Sequence, residues 1–509
     1  MEETMTWTSR ARRSLVAGLL AMTVVGAGAA CGGGSGDGDQ DQTLRVGMPI
    51  RMLSVDPHGT AISDRSTLTL ALHLFDPLVA SSDGEITGRL AESWENVNDT
   101  TTRFTLRQGV TFHDGSPLTS ADVKASLDRL FAASTALAPL FATIEEVKAP
   151  DEQTVEIITS RATGSLLTNL SMAYIGSKAQ IESGEIESRP VGTGAFKLED
   201  FRSGERAHMV ANESYWDGAP KYERLEFQEI SEDAARLTAL RTGEIDVTYA
   251  LPPDQLSQVR GFDQVTVESG PSATFYVIWL NNARKPLDDP KVRQALWHAV
   301  DFSSIQENLF GESAVLAKAP VPQPVFGAAQ LPGYTYDPQR ARQLLAEAGY
   351  PNGFSTSIQW SANCCANIRP LVQSILSAWK EVGVNVEMQE KEAGQWLDDL
   401  LALDWDMNIQ DGVVVTQDAE FVLGRLYTCA AKRLGYCNEE YDRVIADASA
   451  ELDPQERQRK LQRAQEILWA DAPGAWPFEL TASAAWRDRV SGFGPPPTNV
   501  PDFRGVSLN

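Results

Sequence analysis

Catalysis, metal capture and redox chemistry each need particular side chains at particular spacings, and the 509-residue chain offers few. Its five histidines, His58, His73, His113, His208 and His298, stand apart from one another. None makes the paired spacing of a zinc-binding helix, so each reads as an ordinary polar or capping residue. No HExxH, Walker A, GxSxG or CxxC pattern occurs, which disfavours an exported hydrolase. Gly192-Thr193-Gly194 lacks the Lys-Ser/Thr that would complete a phosphate loop and reads as a tight turn needing positive φ. Asp398-Asp399 and the Asp404/Asp406 pair read as a solvated acidic face. No catalytic residue, metal site or cofactor is expected.

The cysteines carry more. Cys31 follows three arginines (Arg10, Arg12, Arg13), an apolar run from Leu15 to about Val25, and the small residues Gly26 to Ala30. This has the form of a secretory signal over residues 1–30, too short in its apolar part to span a bilayer comfortably. Small residues directly before a cysteine resemble a bacterial lipoprotein signal, in which Cys31 becomes the lipidated first residue. Residues 31–42, rich in Gly, Ser and Asp, then read as a flexible tether. Four cysteines remain, allowing three connectivities. Cys429 and Cys437 bracket a short polar loop and are the expected pair. Cys364 and Cys365 are adjacent, closer than the usual disulfide range, and their pairing is left open.

Asp and Glu number 69 against 44 Lys and Arg, a formal charge of −25. Removing residues 1–30 takes away three arginines and two glutamates, so the exported body carries −26. With no Lys/Arg-rich run to meet phosphates, a nucleic-acid partner is excluded. Hydrophobic residues make up 42%, enough for two to four folding units at roughly 100–200 residues each. After Val25 no apolar run approaches membrane-spanning length.

The elements that must position any site alternate along the body. Thr43–Met48, Arg103–Arg107 and Val384–Met388 show the period-two pattern of strands. At 289–300, Asp289 caps, Pro290 opens, and Val292, Ala295, Leu296 and Ala299 share one helical face. Asp337, Pro338, Ala341, Leu344, Leu345 and Gly349 repeat that grammar. The class is α/β. Seams near 269–275 and near Pro473–Pro477 suggest domain edges. The last 30 or so residues are too short to fold alone and must pack onto an earlier part.

Phe112-His113-Asp114-Gly115-Ser116-Pro117-Leu118-Thr119-Ser120-Ala121-Asp122-Val123 resembles the signature of the family 5 extracellular solute-binding proteins, the peptide/nickel-type receptors of bacterial ABC importers. Val55–His58, Leu90–Trp94, Pro190–Phe196, Asn212–Trp216, Leu240–Val247, Asp289–Leu296 and Ala348–Tyr350 match in the family's order. The resemblance spans about residues 44–505. It implies a bilobal periplasmic-binding-protein-like fold (type II, large peptide-receptor class), with hinged lobes around a central cleft. Lobe I would comprise 43–274 plus 481–509, including the family's extra subdomain, and lobe II 275–480. Solute contacts from both lobes would favour closure, which the permease reads.

The resemblance further implies a monomer on the outer face of the cell membrane, held by its lipid anchor. It would deliver a peptide or related small solute to an ABC permease and ATPase complex. An envelope lipoprotein of this fold with a regulatory or sensing role is the alternative. Family position places Tyr276, Trp279, Trp360, Asn363, Arg369, Asp411 and Asp418 near the cleft. Arg369 would grip a solute carboxylate or pair with a surface acid. Tyr427–Ala431 and Cys437 match the end of the family's binding loop, which supports the Cys429–Cys437 pair. Its beginning departs: Val413 replaces a Trp, and the aspartate that holds a peptide ammonium falls at Val415 or Thr416. That charge-assisted bond is absent from its usual place.

Overall fold

The computed structural model describes residues 41–509, apart from 83, 134–136, 363 and 366. The signal, Cys31 and Asn363 lie outside the described residues. Gln42–Asn509 form one compact unit. Its main element is a sheet of eleven strands: β1 (Thr43–Met48), β2 (Phe196–Arg202), β3 (Arg206–Ala211), β4 (Arg224–Glu229), β5 (Val247–Tyr249), β6 (Val265–Leu280), β7 (Ala314–Leu316), β8 (Ser355–Ser361), β9 (Asn385–Lys391), β10 (Met407–Val413) and β11 (Gly474–Arg487). The spatial order is β2-β3-β4-β1-β5-β11-β6-β10-β8-β9, with β7 also on β11.

β6 and β11 are the longest strands, 16 and 14 residues, and run antiparallel along the middle of the sheet. Their halves serve two large cores, and Val265, Val267 and Ala485 pack in a smaller third cluster with Leu240, Ile245 and Val259. Leu44, Phe75, Phe104, Phe227, Ala484, Trp486, Phe503 and Val506 share one large core. Phe275, Ile278, Leu296, Trp360, Trp379, Ile409, Trp476 and Phe478 share the other. The pairing of β6 with β11 shifts register between Pro271 and Phe275. The two seams are therefore crossed by continuous strands. The C-terminal tail folds back onto the N-terminal core, burying Phe503 and Val506 completely.

Helix starts follow from capping chemistry. Asp64 caps α1 (Arg65–Leu74) by accepting from Ser66 N at 2.9 Å and Thr67 N at 3.3 Å. Thr119 and Asp122 form a capping box on α2 (Ser120–Ala132). Asp289 and Asp337 cap α3 (Pro290–His298) and α4 (Pro338–Glu347), each with Pro in the first turn. A four-stranded antiparallel sheet (Ala91–Asn98, Thr101–Leu106, Thr154–Thr159, Ile144–Asp151) forms a separate layer beside α2.

Gly192 and Gly194 do not have the positive φ expected of them. They are there because the chain runs against the end of α1. A Cβ on either residue would collide with the carbonyls of Leu74 and His73. Thr193 between them donates to the buried carboxylate of Asp76 at 3.0 Å. Tyr215 Oη (2.9 Å), Trp216 Nε1 (3.0 Å) and Arg89 (2.9 Å) donate to the same carboxylate. Segments far apart in sequence thus converge on one carboxylate whose charge is compensated by these donors.

Candidate functional site

The antiparallel pairing of β6 with β10 sets Tyr276 directly opposite Asp411. Tyr276 is buried, its ring 5.7 Å from that of Phe310. Asp411 is half-buried, and burial raises its carboxyl above the usual aspartate range. The positive charge that opposes this rise is Arg65, the first residue of α1. Arg65 thus acts on Asp411 through its charge, from the element rooted in the other core. Among the described residues neither side chain has a salt-bridge partner. Arg65 also acts on the buried Tyr249, whose Oη lies 3.4 Å from Met48 Sδ. The loop after β8 closes one side: Cys364 Sγ lies 4.0 Å from Asp411 Oδ1 and is bonded to Cys365.

The arrangement is a carboxylate and a guanidinium, each without a salt bridge among the described residues, supplied by two separately packed cores. Such a pair can hold opposite ends of a zwitterion through charge-assisted hydrogen bonds. It contains no nucleophile with an adjacent base.

Among the expected residues that are described, Tyr276 and Asp411 come together, while Trp279, Trp360, Arg369 and Asp418 lie elsewhere. Trp279 is 2% exposed, its Nε1 donating to Tyr427 Oη at 3.3 Å, where Trp476 also donates. Trp360 is fully buried. Arg369 takes the second of its two expected roles, pairing with Glu390 while lying 5.8 Å over the Trp360 ring. Asp418 is buried in a bidentate pair with Arg457 at 2.6 and 2.9 Å, which Glu420 joins. These carboxylates push the Arg457 guanidinium up against the effect of burial. At the positions where the anchoring aspartate is missing, Val415 packs against both cores and Thr416 is buried. Cys429 is bonded to Cys437, and Cys429 N donates to Asp442 at 3.1 Å.

A second concavity of about 550 Å³ lies between Pro139–Asn169 and the stretch Asp418–Ser449. It is walled by Leu140, Arg161 and Asn169 on one side and Phe421, Arg425 and Ile445 on the other. Gly164 N donates to Ser449 O at 2.7 Å along its edge.

Arg65 escaped sequence reasoning. The signal present was an Asp cap, Asp64, before the apolar pattern of α1, but that fixes a helix start and not what faces it.

The profile of the bacterial extracellular solute-binding proteins, family 5 Middle, matches residues 85–433. The glutathione-binding protein GsiB of Pectobacterium atrosepticum is 29% identical over 484 residues, covering 89% of this chain and 92% of the relative. Its namesake from Escherichia coli (strain K12) is 29% identical over 407 residues, 75% and 78% of the two chains. Among solved structures, HbpA2 from Haemophilus parasuis aligns with a TM-score of 0.81 at 25% identity, covering 92% of this chain and 100% of that one. A dipeptide-binding protein from Pseudoalteromonas sp. SM9913, in complex with Met-Leu, aligns with a TM-score of 0.79 at 24% identity over the same shares. These neighbours share the type II periplasmic-binding architecture. The chain belongs to the bacterial extracellular solute-binding proteins, family 5, and is a solute receptor of the ABC-importer class rather than an enzyme.

Proposed function

We propose that the chain captures a small zwitterionic solute of the peptide class, with its ammonium on Asp411 and its carboxylate on Arg65. The carrying observation is that, among the described residues, neither charge has a salt-bridge partner, while the charge of Arg65 acts on Asp411 from an element packed in a different core. Relatives named for glutathione and a fold neighbour holding Met-Leu support a peptide-like cargo. In this reading residues 43–274 with 481–509 act as one lobe and 275–480 as the other. Solute bridging Arg65 and Asp411 favours their closed arrangement, because only that arrangement satisfies both ends. Cys31 carries the lipid that holds the receptor at the outer face of the membrane, as a monomer, where it meets the permease and ATPase.

The test is calorimetric titration of solute-free, oxidised protein with dipeptides and glutathione beside their N-acetylated and C-amidated forms. Each blocked analogue should bind about 10- to 100-fold more weakly, the worth of one charge-assisted hydrogen bond. D411N should lose the same factor for free peptides and nothing further for the N-acetylated ones. Equal binding of free and acetylated peptides would sink the assignment of Asp411. Failure of a broad peptide library to bind at all would favour the sensing lipoprotein instead.

A further inference from the structure

The adjacent cysteines are not explained by solute capture through charge. We propose that reduction of the Cys364–Cys365 bond creates a site for a thiophilic divalent cation of the Zn²⁺ or Cd²⁺ kind, ligated by both sulfurs and the Asp411 carboxylate. This goes beyond the peptide reading and holds whether or not the cleft takes peptides.

Three observations converge. The two Sγ atoms and an Asp411 oxygen all lie within 4.8 Å of one another. Tetrahedral zinc with bonds of about 2.3 Å to sulfur and about 2.1 Å to oxygen separates sulfur from oxygen by about 3.6 Å. Cys364 Sγ already sits 4.0 Å from Asp411 Oδ1. The same geometry needs the sulfurs about 3.8 Å apart, which side-chain rotation provides once the bond between them is gone. Charge also balances: two thiolates and one carboxylate meet the dication together with the Arg65 guanidinium, whose charge acts on Asp411. Soft thiolate donors select zinc-like and cadmium-like ions over magnesium or calcium. Three protein ligands leave the fourth position open to water or to a donor atom of a bound solute.

The redox step is ordinary exchange. Two molecules of a low-molecular-weight thiol attack in turn, the first forming a mixed disulfide with one cysteine and freeing the other. The second releases the small-molecule disulfide, and the protein gains two electrons and two protons as a dithiol. Metal binding then displaces both thiol protons. The oxidised form, with its sulfurs bonded to each other, cannot ligate in this way.

The full-length chain, reduced with a phosphine under nitrogen and desalted, is titrated with Cd²⁺ while the ultraviolet sulfur-to-cadmium charge-transfer band is followed. One equivalent should bind, and air-oxidised protein should show no band. The C364S/C365S double variant, which retains Cys429 and Cys437, should lose the band. D411N should keep it with an affinity lower by at least tenfold. Circular dichroism of each reduced sample confirms that it is folded. Equal binding by the reduced double variant would assign the metal to the remaining cysteines, Cys31, Cys429 and Cys437, and overturn the proposal. So would a reduced wild type that binds nothing, or a D411N protein with unchanged affinity.

Discussion

Asp411 and Asp418 stand seven residues apart and have opposite fates. Both oxygens of Asp418 are engaged by Arg457, and Oδ1 also accepts from Glu420 N at 2.9 Å. Removing one partner of a buried ion pair leaves the other charge uncompensated, at a cost of about 3 kcal/mol. D418N should therefore lower stability by about that amount in urea titrations while leaving peptide affinity unchanged. D411N should do the reverse, because its carboxylate supports no salt bridge among the described residues. A drop in affinity for D418N at constant stability would move Asp418 into the site. Sequence reading put both aspartates near the cleft because position along a familiar loop does not reveal which carboxylate is already spent. The residues that made the family recognisable are largely scaffold. Asp56 pairs with Arg129 at 2.6 and 2.8 Å, while Thr193, Tyr215 and Trp216 serve Asp76. Motifs of this kind report the fold faithfully and are silent about the cargo.

Among the elements, α1 matters most to the proposed capture because its first turn carries Arg65. Asp64 satisfies two of the backbone N–H groups that a helix start leaves free. D64A should cost about 1 kcal/mol, read as a lower unfolding midpoint. It should also raise the Kd for a free dipeptide severalfold, since a frayed first turn no longer fixes the guanidinium. An unchanged Kd beside a lowered midpoint would show that Arg65 is not held by its cap. The starts of α2, α3 and α4 were legible because Thr119, Asp289 and Asp337 announce themselves locally. The path of β6 and β11 was not. Ser269–Ser272 and Pro473–Pro477 read as domain edges, yet nothing in composition says that long strands pass there. Likewise Gly192 and Gly194 suggested a turn, when the real constraint was close approach by a helix more than 100 residues earlier.

At the scale of the molecule, three histidines make the fold sensitive to acid. His58, His73 and His113 are each pushed down to about 4, in every case chiefly by burial. His58 and His73 are almost wholly inaccessible. His73 donates from Nδ1 to Thr69 O at 2.7 Å and accepts at Nε2 from Phe503 N at 3.0 Å, so it is folded in as the neutral ring. The unfolded chain takes up protons near pH 6.5 and the folded chain only near 4. Stability is therefore complete above about 6.5 and declines as pH falls through that window. His58 and His73 contribute up to about 3 kcal/mol each. Thermal midpoints should fall steadily from pH 7 to pH 4.5. H58Q, which keeps a donor for Tyr174 O but does not titrate, should show a shallower slope. Parallel slopes for the two proteins would show that His58 is not among the groups responsible.

The return of the C-terminal tail to the first core bears on how the protein folds. Phe503 N reaches His73 across 430 residues, and Arg489 reaches the carbonyl of Thr43 across 446. The core that β1 begins is closed by residues more than 400 positions further along the chain. Contacts of such sequence separation form late, because the loop between them must be ordered first. In refolding, this core should therefore be completed after contacts between nearer residues, and its slowest step should be the docking of the tail.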